Sequence, residues 1–237
     1  MLSALDLFDF TESRSEWVFE GTQYVWEVLA RIPQLVSTLL DGKQVIEGDV
    51  MPGAYLGDHP LFVGRGACIE PGVYIGGPAY IAANVVVRHG AYVRSNSVLL
   101  DGAILGHASE IKNSILLPGA KAPHFAYVGD SIIGHRANLG AGVRLSNLSI
   151  TGPSSGIRST VRIQMPDGRI DTGLRKFGAI LGDDVEIGCN AVLNPGIVLG
   201  PRSLVYPNVS MRSGVYPADT ITKLRQEIEV TERLPPG

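Results

Sequence analysis

Arg94 and Lys112 stand eighteen residues apart, each directly after an aliphatic residue, Val93 and Ile111, and Glu110 lies two residues before the lysine. If the chain repeats at that spacing, the two cations stack on neighbouring strands about 4.8 Å apart. Like charges held so close repel, so the pair asks for an anion between or above it. A phosphate would satisfy both, with the arginine as a planar fork and the lysine as a mobile point charge; without one, the two side chains splay into water. Twelve residues further on, in the segment KAPHFAYVGD, comes His124. Histidine changes protonation near neutral pH and serves most often as a general base. Pro123 stands where a repeated aliphatic is expected, which predicts a break in the chain's course that re-aims the imidazole out of the stack.

What could position these groups is a repeat. Val63, Ile69, Ile75, Ile81, Val87, Val93, Leu99, Leu105, Ile111 and Leu117 follow one another at six-residue intervals. A six-residue unit suits a short strand and a tight turn, the glycines, prolines and asparagines between supplying the turns; a helix would need three- and four-residue spacings. The chain therefore reads as a solenoid of short parallel strands around an aliphatic axis. The ladder resumes at Ile133, Leu139 and Leu145, and again at Leu181, Ile187, Leu193, Leu199, Val205 and Met211. One interruption falls at 118–132, around His124. A second, 146–180, holds VRIQMPDGRID, whose alternation about Pro166, Asp167 and Gly168 predicts a β-hairpin arm leaving the solenoid.

The expected division is a helical cap and linker over 1–46, a β-helix over 47–216 with an insertion at 147–176, and a tail over 217–237. YVWEVLARIPQLVSTLL has the spacing of an amphipathic helix, bent or split at Pro33, that would cap the open first coil. The tail reads equally as a short helix or a strand.

A net charge of −3 and the lack of any lysine or arginine run give a nucleic acid nothing to bind, so any anion site is local. No stretch approaches a membrane span and the acidic start is unlike a signal peptide, which predicts a cytoplasmic protein. Cys68 and Cys189 fit neither a disulfide framework nor a zinc spacing.

The hexad ladder resembles that of acyltransferases built on a left-handed parallel β-helix, in which three hexads make a triangular coil of eighteen residues. EIKNSILLPGAKAPHFAYVGDSIIGHRANLGAGVRLSN and LRKFGAILGDDVEIGCNAVL are similar to the C-terminal acetyltransferase domain of bifunctional sugar-1-phosphate nucleotidyltransferases, such as N-acetylglucosamine-1-phosphate uridyltransferase. The resemblance covers roughly residues 60–215 and is most specific at Lys-x-x-His-x-x-Tyr-x-Gly-Asp; the nucleotidyltransferase domain has no counterpart. It implies acetyl transfer from acetyl-CoA, as co-substrate and without a metal, to the amine of a hexosamine 1-phosphate, with glucosamine-1-phosphate foremost, in nucleotide-sugar biosynthesis. It makes His124 the general base. Arg94, Lys112 and Lys176 would hold the phosphate, and Tyr127, Asn138 and Asn147 the sugar and reacting groups. Glu110 would orient the amine or temper the local positive charge, and Ala141 and Cys189 would line the thioester channel. It also implies a homotrimer whose sites lie between subunits.

Two other readings stand beside this one. The β-helix could be a non-catalytic scaffold or regulatory partner of a separate nucleotidyltransferase. It could also be a metalloenzyme like the γ-type carbonic anhydrases, because His89 and His107 are eighteen residues apart and His124 is nearly in register; zinc ligands, however, must converge to about 2.0–2.1 Å from the metal.

Overall fold

The computed structural model describes residues 2–11, 13–149, 159–165, 168–228 and 231. Short parallel strands stack into three sheets of nine, nine and eight strands, each strand pairing with the one a full coil away. Face I begins at Gln44–Ile46, face II at Asp49–Val50 and face III at Tyr55–Leu56. The aliphatic ladder fills the axis: Val63, Ile69, Ile81, Val87, Val93, Leu105 and Ile111 are wholly buried. Strands as short as these cannot bury a core alone, so stability comes from stacking coil on coil. The first strand thus precedes the expected boundary at 47, and the last, Ile221–Thr222, lies beyond 216 and turns the start of the tail into strand.

The ladder is not interrupted at 118–132. Val93 pairs with Ile111, eighteen residues on. From there Leu99 pairs with Leu116, Leu105 with Ala122 and Ile111 with Val128, each seventeen residues on. Leu116, not Leu117, is the inward residue, and Ala122 and Val128 continue the axis where a gap is expected. The cause is two shortened corners, one at Asn113 and one at Asp130, each of which turns in the left-handed region at φ +45° and +48°. Asn and Asp tolerate that conformation better than most side chains, which lets the corner lose a residue without disturbing the strands.

Pro123 accordingly does not break the coil. It sits one residue past the inward Ala122, within the extended strand Lys121–His124, which runs parallel to Ile104–His107. Gly106 opposite makes room: a Cβ there would meet the Pro123 carbonyl oxygen at 1.7 Å. We expect Gly106→Ala to destabilise the fold by at least about 1–3 kcal/mol, the scale of overpacking, as measured by a lowered urea midpoint.

Face I is apolar on both sides. Its strands Ser97–Leu99, Ser114–Leu116, Ala179–Leu181 and Ile197–Leu199 are buried throughout, and the outward residues Val98, Ile115, Ile180 and Val198 are as covered as the inward ones. Part of the cover is the N-terminal segment. The helix Val28–Leu40 buries Val28, Leu29, Ile32, Val36 and Leu40 and packs against Ala79–Ile81 and Ser97–Leu99. It therefore lies along the flank of face I and not over the open end of the first coil, where Val45 and Ile46 remain 38% and 42% exposed. The helix is also unbroken at Pro33. Proline cannot donate to the carbonyl four residues back, and that carbonyl, Leu29 O, accepts the Asn113 side-chain amide at 3.2 Å instead.

Ahead of the helix, the segment is clasped by a buried chain of hydrogen bonds. Asp183 Oδ1 accepts His135 N at 2.8 Å and lies 2.7 Å from His135 Nδ1, and its Oδ2 accepts Asp9 N at 2.7 Å. A carboxylate only accepts, so Nδ1 donates. His135 Nε2 lies 3.0 Å from Ser15 Oγ. The order Ser, His, Asp is that of a hydrolytic triad, but Ser15, His135 and Asp183 are only 2%, 2% and 5% exposed, with Phe8 and Phe10 edge-on to the imidazole. No substrate reaches such a serine, so the chain of bonds fastens the segment to the solenoid.

The arm is antiparallel, Arg162–Met165 against Gly168–Asp171; its turn at Pro166 and Asp167 lies outside the described residues. It lies back on the solenoid instead of leaving it. Ile163 is wholly buried, Val161 nearly so, and Ser213 Oγ donates to the Arg162 carbonyl at 3.2 Å. Gly196 leaves the space, since a Cβ there would come within 2.6 Å of Val161.

One corner carries an alternating charge column. Arg136 grips Asp184 through two 2.7 Å bonds, and Arg202 grips Asp219 likewise. The hydrogen bonds from these arginines hold both carboxyls below their ordinary range. A depressed folded value means the contribution is present above the ordinary carboxylate range and disappears as pH falls through the depressed one. The stability difference between wild type and Arg202→Gln in urea melts should therefore shrink on acidification, and also at high salt.

Candidate functional site

The residues that the chain must bring together occupy one face and its two edges. Between faces II and III, each coil turns through a residue followed by one with positive φ: His107 before Ala108, His124 before Phe125, Ala141 before Gly142 and Cys189 before Asn190. The stacking is read from the backbone, with Gly142 N donating to His124 O at 3.0 Å and Asn190 N to Ala141 O at 2.9 Å. His124, Ala141 and Cys189 thus stand one above another in successive coils. Gly140 permits the close spacing, since a Cβ there would lie 2.7 Å from Cys189 N. Beside Cys189, Ile187, Gly188, Leu204, Tyr206 and Pro207 line a mainly apolar hollow of about 290 Å³.

His124 differs from the histidines before it. His89 Nδ1 lies 2.7 Å from the Pro71 carbonyl oxygen and His107 Nδ1 2.8 Å from that of His89, which makes each Nδ1 the donor and locks the ring against the coil. The two rings stack at 5.5 Å, 9° from parallel, and do not converge as zinc ligands must. At the next coil the His107 carbonyl is taken by Phe125 N at 2.9 Å. The His124 imidazole is exposed and has no hydrogen bond among the described residues. The His107 ring is tied back to the carbonyl of the coil before it and the His124 ring is not, and no break at Pro123 is involved.

Along face III the outward residues next to this corner are Tyr92, Glu110 and Tyr127 in successive coils. At the far edge lie Arg94 and Lys112, linked through the bond from Arg94 N to Ile111 O at 2.9 Å. The two cations do share a face, but the anion between them is supplied by the protein. Arg94 Nη1 donates to Glu110 Oε1 at 2.7 Å, and that bond, ahead of all else, raises the guanidinium pKa. Lys112 Nζ lies 3.0 Å from Asp130 Oδ2. A ligand phosphate here meets two ion pairs and not two bare charges.

Asn147 Nδ2 donates to the Tyr127 hydroxyl at 3.2 Å and to Asp130 Oδ2. Burial pushes the Tyr127 phenol up, which keeps its proton available for a ligand oxygen. Lys176 is exposed at the base of the insertion, where Phe177 N donates to Asn147 O at 3.0 Å, so it arrives beside Asn147. Asn138 is the outlier. It lies on face II, where its Nδ2 donates to Glu186 Oε2 at 3.0 Å, around the corner from Tyr127. The residues that sequence reasoning passed over are Asp130 and Asn113. Asn113 had no signal beyond a polar residue able to turn left-handed at a corner, whereas Asp130 also closes the Lys-x-x-His-x-x-Tyr-x-Gly-Asp segment.

Residues 75–167 match the family described as GMPPB C-terminal domain. A bifunctional sugar-1-phosphate nucleotidylyltransferase/acetyltransferase of Sulfurisphaera tokodaii is 34% identical over 111 residues, 47% of this chain and 26% of that protein. The bifunctional protein GlmU of Methanococcus maripaludis is 38% identical over 128 residues, 51% of this chain and 29% of its own. A putative uncharacterized acetyltransferase of Escherichia coli, YaiX, is 30% identical over 128 residues, 54% and 52% of the respective chains. The chain thus spans between a quarter and a half of the length of these relatives. Among solved structures, the polySia specific acetyltransferase NeuO aligns with 76% of each chain at 16% identity and a TM-score of 0.26. Over about half of its length, this chain is a homologue of the C-terminal region of the bifunctional sugar-1-phosphate nucleotidylyltransferase/acetyltransferases.

Proposed function

We propose that the chain transfers acetyl from acetyl-CoA to the amine of a hexosamine 1-phosphate, with glucosamine-1-phosphate the first acceptor to try. The observation that carries this reading is the stack of His124, Ala141 and Cys189 at one corner, beside the face that ends in Arg94 and Lys112. The acceptor lies along face III, its phosphate taken by Arg94, Lys112 and Lys176 and its ring hydroxyls by Tyr127 and Asn147. Glu110, paired with Arg94 in the free protein, turns to the amine when phosphate replaces it on the guanidinium.

The amine nitrogen attacks the thioester carbonyl, and His124 takes the proton the nitrogen loses. A backbone N–H at the Ala141–Cys189 corner stabilises the oxyanion, a role worth about 3 kcal/mol in other acyl transfers. The carbon–sulfur bond then breaks and the thiolate leaves with the proton from His124. Asn138, around the corner on face II, joins a site of this kind from a neighbouring copy, which favours a homotrimer with sites at its boundaries. The chemistry asks for no metal; a cytoplasmic location and a place in nucleotide-sugar synthesis follow from these substrates.

One observation favours a second reading, a non-catalytic partner of a separate nucleotidyltransferase: Glu110 and Asp130 already neutralise the two cations. Thiol release from acetyl-CoA, measured with a panel of amino-sugar phosphates, separates the two. Turnover with glucosamine-1-phosphate and none with glucosamine is the expected result. No release with any acceptor would overturn the enzyme and leave the scaffold.

A further inference from the structure

We propose that Asp130 is a positioning residue for the acceptor: it holds Lys112 and Asn147 in place and is itself braced against the N-terminal helix through Asn113. This rests on the acetyl-transfer reading and deepens it. Asp130 is only 4% exposed, at the corner that leads from face III to face I. A carboxylate so buried must be paired and hydrogen-bonded, and this one accepts Lys112 Nζ at 3.0 and 3.2 Å, Asn113 Nδ2 at 3.0 Å and Asn147 Nδ2.

The inventory of donors shows what the cluster leaves over. An ammonium has three N–H groups; two at most meet Asp130, and at least one is left for a ligand. Asn147 spends its two amide hydrogens on Asp130 and Tyr127, so its side-chain carbonyl is the group left to meet a substrate donor. Through Asn147, Asp130 also fixes the Tyr127 hydroxyl. One buried carboxylate therefore sets three candidate acceptor-binding side chains at once.

The brace comes from the helix. Pro33 leaves Leu29 O without its usual donor, and the Asn113 amide spans the gap, giving one hydrogen to Leu29 O at 3.2 Å and one to Asp130 Oδ1 at 3.0 Å. The shortened corners bring this about, since Asn113 and Asp130 are the two left-handed residues at which the coils lose one position. Helix, corner and acceptor face are joined by side chains whose geometry leaves little freedom.

The test is Asp130→Asn, which keeps the shape and the tolerance for a left-handed turn. A misplaced acceptor loses rate rather than binding, so kcat with glucosamine-1-phosphate should fall about 10–100-fold. KM should change less, and the melting temperature should stay within a few degrees. Asn113→Ala should move kcat in the same direction by a smaller factor. In the double variant with Lys112→Gln, the two losses should be less than additive, because both act through one ammonium. An independent readout is the 15N spectrum of lysine ammonium groups, in which Lys112 should give a slowly exchanging signal that Asp130→Asn removes. Unchanged kcat together with an unchanged Lys112 signal, or a collapse of stability that accounts for the lost rate, would overturn the proposal. If the wild type turns over no acceptor, the acetyl-transfer reading fails on its own, and the Lys112 signal alone decides whether Asp130 positions that side chain.

Discussion

His124→Ala is expected to lower the rate of thiol release by about 10²–10⁴-fold, the usual contribution of a general base, while leaving thermal unfolding unchanged. The second half follows from the exposed imidazole, which has no hydrogen bond among the described residues and so ties no coil to its neighbour. The first half follows from its place at the head of the Ala141 and Cys189 stack. His107→Ala is the informative control. That ring is tied by Nδ1 to the His89 carbonyl and stacked on His89, so its loss should cost some stability and little rate. Normal turnover in His124→Ala would take the imidazole out of the mechanism, and a fall of equal size in His107→Ala would point to the corner's shape rather than to proton transfer.

The largest effect on stability is expected from Asp183→Ala. It orphans three donors at once, His135 N and Nδ1 in the interior and Asp9 N at its edge. Each buried donor left unmade costs about 1–3 kcal/mol, and a loss of about 3–5 kcal/mol is expected once partial relaxation is allowed. For a chain of this size, each kcal/mol is worth roughly 2–4 °C of melting temperature. Proteolysis should cut the N-terminal segment before the solenoid gives way, because the clasp and not the ladder is damaged. Asp183→Asn keeps one acceptor and should cost less. If Asp183→Ala melts with wild type and resists the protease, the clasp contributes nothing.

The axis of this protein was legible because its repeat is strict: branched aliphatics six apart can do little but fill a narrow interior. Two kinds of feature were not. Corner length is invisible to a period count, so Leu117 stood in for Leu116, and a continuous coil looked broken between 118 and 132. Seen afterwards, the polar left-handed turns at Asn113 and Asp130 account for the shift. The covering of face I is signalled only by VLL at 98–100, ILL at 115–117, AIL at 179–181 and IVL at 197–199, runs of apolar residues without alternation, the mark of a strand buried on both sides. In the candidate site, the placement of residues on a face was legible and their partnerships were not. Arg94 and Lys112 lie where the eighteen-residue spacing puts them, but no spacing announces that Glu110 reaches one and Asp130 the other.

A coil that can shed one residue at a bend, with every inward side chain still in its row, has separated two tasks that most folds entangle. The interior answers to strand length alone, whereas the outline of the acceptor surface answers to how each bend is cut. Splicing single residues at 113 or 130 should therefore change which molecules fit long before it changes whether the chain folds, and variation in specificity among proteins of this architecture should collect along that edge.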